Sequence, residues 1–137
     1  MKDILLLLVG FVLSACATPH RPISFVPAKE AVWFKFPSNL PAEGQVKIPA
    51  TLAAAIQLVV DDFVPWYAKP HQNADTFDAC LHEQASYDVV AAPGPEGVVF
   101  VSIWLSPGAC GHYRWALDLG AVYAVDVRNW RILAVQH

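Results

Sequence analysis

Between positions 87 and 105 the chain places an apolar residue at every second position, and one turn sequence interrupts the pattern. Tyr87, Val89 and Ala91 alternate with Asp88, Val90 and Ala92; Pro93-Gly94-Pro95-Glu96-Gly97 follows; then Val99, Val101, Ile103 and Leu105 alternate with Phe100, Ser102 and Trp104. A period of two belongs to a strand with one face inside, so the segment reads as an antiparallel β-hairpin. Centring the turn on Pro95 sets Tyr87 opposite Ile103 and Val89 opposite Val101 on one apolar face. Upstream the period differs. Leu52, Ile56, Val59, Val60 and Phe63 recur at helical spacing within residues 51–65, behind Pro49, which suits a helix start, and ahead of Pro65-Trp66-Tyr67-Ala68-Lys69-Pro70, which ends it. The polar side of this helix is narrow, chiefly Gln57, Asp61 and Asp62, and Ala53, Ala54 and Ala55 permit close approach of another element. A helix with a broad apolar stripe and a hairpin with one apolar face each need a covering layer, which the other supplies.

Residues 106–114 are a Pro/Gly loop, after which residues 115–127 and 130–135 read as two further strands. Asp126-Val127-Arg128-Asn129 suits the tight turn between them, with Asp first and Asn129 able to take a left-handed conformation. Residues 31–36, Ala-Val-Trp-Phe-Lys-Phe, are rich in strand formers and closed by Pro37, which predicts a short edge strand or a buried extended segment. The expectation is one α+β domain over residues 31–137, a main amphipathic helix laid across a four-stranded antiparallel meander. Its element order resembles cystatin-like folds, an architectural analogy that carries no function. A length of 137 residues leaves room for one such unit, and 55% apolar with 15% charged residues lies far from the disordered class.

The N-terminus carries the most specific motif. Met1-Lys2-Asp3 is a short polar start, residues 4–13 are an apolar run, and Leu13-Ser14-Ala15-Cys16 follows. Hydrophobic stretch, small residues and cysteine in that order resemble the signal peptide and lipobox of bacterial lipoproteins. The resemblance implies that residues 1–15 are removed, that Cys16 is joined to diacylglycerol, and that its new amine is acylated. Read instead as a membrane helix, residues 4–17 span about 21 Å, short of a hydrocarbon core of about 30 Å. Two or three acyl chains hold a protein firmly where one holds it marginally. Ala17 rather than Asp after the cysteine implies, by the same resemblance, the outer membrane and its periplasmic side. Residues 16–30 carry three prolines and little periodicity, which fits a tether.

Lipidation of Cys16, as the resemblance implies, leaves Cys80 and Cys110 as an even pair in an oxidising compartment. The hairpin register independently brings these two positions near each other. A disulfide there would stabilise by about 3 kcal/mol through the unfolded chain. No Cys-x-x-Cys occurs, which favours a structural role over a redox one.

Net charge is −3 and no basic face is apparent, which argues against nucleic-acid binding. No Gly-x-Ser-x-Gly, phosphate loop or His-Glu-x-x-His occurs, and catalytic residues are not expected. His71, Asp75, Asp78 and His82 would share one face of a helix and offer imidazole and carboxylate ligands to a metal, but Pro70, Asn73, Asp75 and Thr76 favour turns, so residues 70–83 read as a polar loop. No metal or other cofactor is therefore expected. His112, Asp61, Asp62, Asp88 and Asp118 find no partner that would make an acid–base pair. Phe100 and Trp104 share the second face of the hairpin. If the helix covers the first face, this second one is either an apolar contact surface or lies beneath Trp33, Phe34 and Phe36. The reading is a non-catalytic envelope lipoprotein with a protein-contact or structural role. Its alternatives are a small-ligand or inhibitor-type binding domain and, third, a metal-dependent enzyme. The expected partners are membrane lipid through Cys16 and an envelope protein.

Overall fold

A computed structural model describes Ser24, Pro27, Lys29 and residues 35–111 and 119–137. The first helix, α1, is Ala50–Phe63; its N-terminus follows Pro49, and Pro65 bars helical dihedrals at Val64, which turns to φ −130° and ψ 81°. A second, short helix α2 covers Thr76–Leu81. Four strands complete the unit: β1 Tyr87–Pro93, β2 Val98–Leu105, β3 Gly120–Asp126 and β4 Arg131–Gln136, antiparallel throughout in the order β1-β2-β3-β4. The chain is therefore α+β, with one main helix on a four-stranded meander. No helix among the described residues is long and apolar enough to cross a membrane.

The two periodicities meet where expected. Ala55 and Val59 of α1 pack into the row formed by Val99, Val101 and Ile103 of β2 and Ala121, Tyr123 and Val125 of β3, all buried. Leu52, Ile56, Val60 and Phe63 flank that row together with Tyr87, Val89 and Ala91 of β1. Each fully buried valine or isoleucine contributes about 1.5–3 kcal/mol relative to exposure. Polar bonds lock the helix end to the sheet. Gln84 donates to the Val64 carbonyl at 2.9 Å and to Asp61 Oδ1 at 3.1 Å, and the Tyr123 hydroxyl donates to Asp62 Oδ2 at 3.0 Å. Burial first, and then the Asp62 carboxylate, push the Tyr123 phenol up to about 12. The Phe63 and Tyr87 rings meet edge to face at 5.3 Å.

Four expectations need correction. The β1–β2 register pairs Tyr87 with Leu105 and Val89 with Ile103, two residues from the predicted pairing, because β1 runs on to Pro93 and the turn centres on Glu96. Glu96 and Gly97 both take positive φ there, 54° and 83°, so the chain reverses one residue later than Pro95. A shift of two preserves side-chain parity, so the apolar face is unchanged. Second, α2 forms within the stretch read as a polar loop, because Asp75 caps it by accepting from the Asp78 N–H at 2.7 Å. Third, Leu119 is a bend, β3 is described from Gly120, and β4 begins at Arg131 rather than Trp130; the predicted strand start at 115 lies outside the described residues. Fourth, the left-handed residue of the β3–β4 turn is Trp130, φ 50°, rather than Asn129. Asn129 is held by Asp126 through its backbone N–H and its side-chain amide, which leaves the reversal to its neighbour. The predicted strand at 31–36 falls mostly outside the described residues; Phe36, the described end of it, is 87% exposed and carries no strand.

Cys80 of α2 and Cys110 of the loop after β2 are bonded, with sulfurs 2.00 Å and Cα atoms 5.7 Å apart. The Ser86 hydroxyl donates to Cys80 Sγ at 3.2 Å, since a disulfide sulfur carries no proton. The bridge closes a separation of 30 residues. Replacing both cysteines by Ala is expected to lower the free energy of unfolding by about 3 kcal/mol, read from urea midpoints.

Asp126 organises the β3–β4 turn. It accepts from the N–H groups of Arg128 and Asn129, from the Asn129 amide and from Arg131 Nε at 3.1 Å. The Asn129 amide above all, with the Arg128 and Arg131 bonds, holds its carboxyl down from 3.8 to about 2. A depressed carboxyl stabilises fully above its unfolded value and loses that effect as pH falls through the folded one. Urea midpoints of the parent should therefore decline between pH 4 and pH 2 more steeply than those of Asp126→Asn, and the two curves should converge at the acid end.

Candidate functional site

The helix covers one side of the sheet only. Parity then fixes what the other side presents: Asp88, Val90 and Ala92 from β1, Val98, Phe100, Ser102 and Trp104 from β2, Gly120, Val122, Ala124 and Asp126 from β3, and Arg131, Ala134 and Gln136 from β4. This open face is apolar across its breadth. Val90 is 56%, Phe100 44% and Val122 41% exposed, and Trp104 is half-buried. Its charged residues stand at its ends: Asp88 at the corner of β1, and the Asp126–Arg131 ion pair at the opposite end of β3 and β4.

The Phe100 ring rests against one glycine, and the Cβ of Trp104 lies beside another. A Cβ at Gly94 would lie 2.6 Å from Phe100 Cε2, so the ring packs directly on the turn backbone. Gly120, the ladder partner of Trp104, admits no Cβ either, since one would approach the Ile103 carbonyl to 2.8 Å and Trp104 Cβ to 3.1 Å. The absence of a side chain at Gly94 lets the Phe100 ring lie on the turn, and its absence at Gly120 lets the two strand backbones approach closely. Beside this β2 ridge the surface drops. A depression of about 590 Å³ is lined by Ser102, Trp104, Gly120, Val122 and Gln136, and a smaller one of about 190 Å³ by Phe100, Val122, Ala124 and Ala134. The polar side chains lining the larger one are those of Ser102, Gln136 and His137.

The sequence singled out Phe100 and Trp104, and the structure brings both to this face. It missed Val90, Val122, Ala124 and Ala134 as their companions, and it missed the supporting glycines. Alternation from the buried Val101 and Ile103 was the available signal for the first group. Trp33 and Phe34 lie outside the described residues, and so do Cys16, His112 and Asp118.

The four residues weighed as metal ligands do other work. Asp75 caps α2, the His82 Nδ1–H donates to the Asp78 carbonyl at 2.8 Å, and His71 stands exposed in the turn before the helix. Among the described residues no group of three or more His, Cys, Asp or Glu side chains is arranged to hold a metal. Asp61 and Asp62 bond to Gln84 and Tyr123 as described, and Asp88 is exposed. No known protein family, characterised protein or solved structure matches the chain.

An open face makes little contribution to the stability of the domain. Phe100→Ser and Val122→Thr are expected to change the unfolding free energy by less than about 1 kcal/mol, whereas Ile103→Ala on the helix side should cost about 2–5 kcal/mol. Equilibrium urea unfolding of the three variants checks the contrast.

Proposed function

We propose that the chain is a non-catalytic lipoprotein of a bacterial envelope, anchored through acylated Cys16 in the outer membrane on its periplasmic side, whose domain makes a protein contact through the open face of its sheet. The observation that carries the contact role is the broad apolar surface around Phe100, Trp104 and Val122, which no described element covers. Apolar patches of this breadth on a folded domain mark contact sites, and tryptophan and phenylalanine suit the centre of one. The open form of the depressions beside the ridge fits a macromolecular surface better than an enclosed ligand. The anchor rests on the lipobox sequence and on the pairing of Cys80 with Cys110, which leaves Cys16 as the single remaining cysteine.

Two measurements test the parts separately. Cells given labelled palmitate should label the parent protein and leave Cys16→Ser unlabelled; label on the variant overturns the anchor. A photoreactive benzoylphenylalanine at position 100, activated in native membranes, should form a protein adduct. Adducts to lipid alone, or none, overturn the contact role.

A further inference from the structure

We propose that the Cys80–Cys110 bridge exchanges with thiols in one direction: an incoming thiolate attacks Cys110 Sγ, and Cys80 leaves as a thiolate held by the Ser86 hydroxyl. Cys110 is then the site at which this chain carries a mixed disulfide. Cys80 is the cysteine that resolves it, and Ser86 is a positioning residue.

The two sulfurs stand in different surroundings. Cys80 lies in the last turn of α2, and its Sγ accepts from the Ser86 hydroxyl at 3.2 Å. Ser86 is 5% exposed, and its backbone is fixed on both sides: its N–H donates to the Glu83 carbonyl at 3.0 Å and its carbonyl accepts from the Ser106 N–H at 2.8 Å. The hydroxyl is therefore aimed at sulfur and shielded from water. Cys110 belongs to the loop after β2, where Pro107, Gly108, Ala109 and Gly111 are exposed and both glycines take positive φ, 80° and 72°. Both cysteines are half-buried, so a small thiol has access to the bridge.

Exchange proceeds by attack of a thiolate on one sulfur with the other as leaving group, and it goes faster when the leaving thiolate is stabilised and the attacked sulfur is accessible. A hydrogen bond to a thiolate favours the charged form, and bonds to an ionised acceptor are roughly twice as strong as neutral ones. The Ser86 bond therefore strengthens as the sulfur–sulfur bond breaks toward Cys80. Asp78 and Glu83, the acids nearest in sequence, oppose charge there. Both reach solvent, which screens them, whereas the hydroxyl acts at contact. The electron pair of the incoming thiolate makes the new bond to Cys110, and the pair of the old bond departs on Cys80. In reverse, the Cys80 thiolate attacks Cys110 Sγ, expels the thiol and closes the bridge. Neither cysteine belongs to the buried row of α1, β2 and β3, and α2 has no buried residue, so this exchange takes place in the folded domain.

The test exposes the full-length protein, purified from membranes with its bridge intact, to reduced glutathione for a short time. Acid then stops the exchange, N-ethylmaleimide blocks free thiols, and peptide mass mapping assigns each cysteine. Glutathione should appear on Cys110 and maleimide on Cys80, about tenfold or more above the opposite pattern. Ser86→Ala should slow loss of the bridge roughly fivefold, and Ser86→Thr, which keeps the hydroxyl, should restore the rate. Urea midpoints report that both variants are folded, and the mapping of the parent does not depend on either. Glutathione on Cys80, or equally on both, overturns the direction. An unchanged rate in folded Ser86→Ala overturns the role of Ser86, and a bridge that opens only in urea overturns exchange in the folded domain.

Discussion

The seam between α1 and the alternate residues of β2 is the constraint on which the rest of the domain depends. Val59 and Ala55 descend from a helical stripe onto Val101 and Ile103, all four buried, and strands β1 and β3 extend that floor on either side. A helix is about 10 Å across and strands lie about 4.8 Å apart, so one helix covers about two strands. Here it lies chiefly over β1 and β2. The far strand is left thinly covered even on the helix side, where Val135, the partner of Tyr123, stays partly exposed. The side away from the helix receives no layer at all from the described residues. The exposed apolar surface thus follows from the ratio of one long helix to four strands, and no local irregularity is needed to explain it.

The disulfide and the polar bonds act at the end of the domain where that seam is weakest. The ladder runs one step past its last strand pair, with the Ser106 N–H donating to the Ser86 carbonyl at 2.8 Å, and then the two chains diverge into α2 and the loop after β2. Cys80 and Cys110 close the divergence just beyond it. At the same end Gln84 donates to the Val64 carbonyl just past α1 and to Asp61 Oδ1, and the Tyr87 hydroxyl donates to the Leu81 carbonyl. Helix, short helix and first strand are therefore tied together at one end of the sheet.

Much of this was legible in the sequence because periodicity is a property of many residues at once. The helix, the hairpin, the faces of both strands and the proximity of the two cysteines all followed from spacing. The errors lie where single residues decide. The register depended on which residue of Pro93-Gly94-Pro95-Glu96-Gly97 reverses the chain, and two candidates for positive φ, Glu96 and Gly97, lay one step past the choice made. The α2 helix depended on one cap, Asp75, in a stretch whose composition favours turns. Trp130 in a left-handed conformation runs against steric preference for a bulky residue, and it arises because Asp126 claims Asn129. For the open face, the alternation of β2 was enough to pair Phe100 with Trp104, but their glycine supports come from a turn and from a neighbouring strand, which spacing along β2 does not reveal.

Those supports change what the exposed aromatics mean. A large apolar side chain left loose on a surface loses rotamer freedom when a partner covers it, and that loss opposes binding. Phe100 has already lost part of it, its ring lying against Gly94 where a methyl group would collide with it. Maintaining glycine at Gly120 inside a strand costs backbone entropy and removes a side chain from the sheet. The close approach of the Ile103 carbonyl is what requires glycine at 120, so that cost belongs to the fold itself. A sheet optimised solely for its own stability would carry polar residues at 100 and 122. This chain carries apolar ones at both, which places the physical rationale for the open face in association rather than in folding.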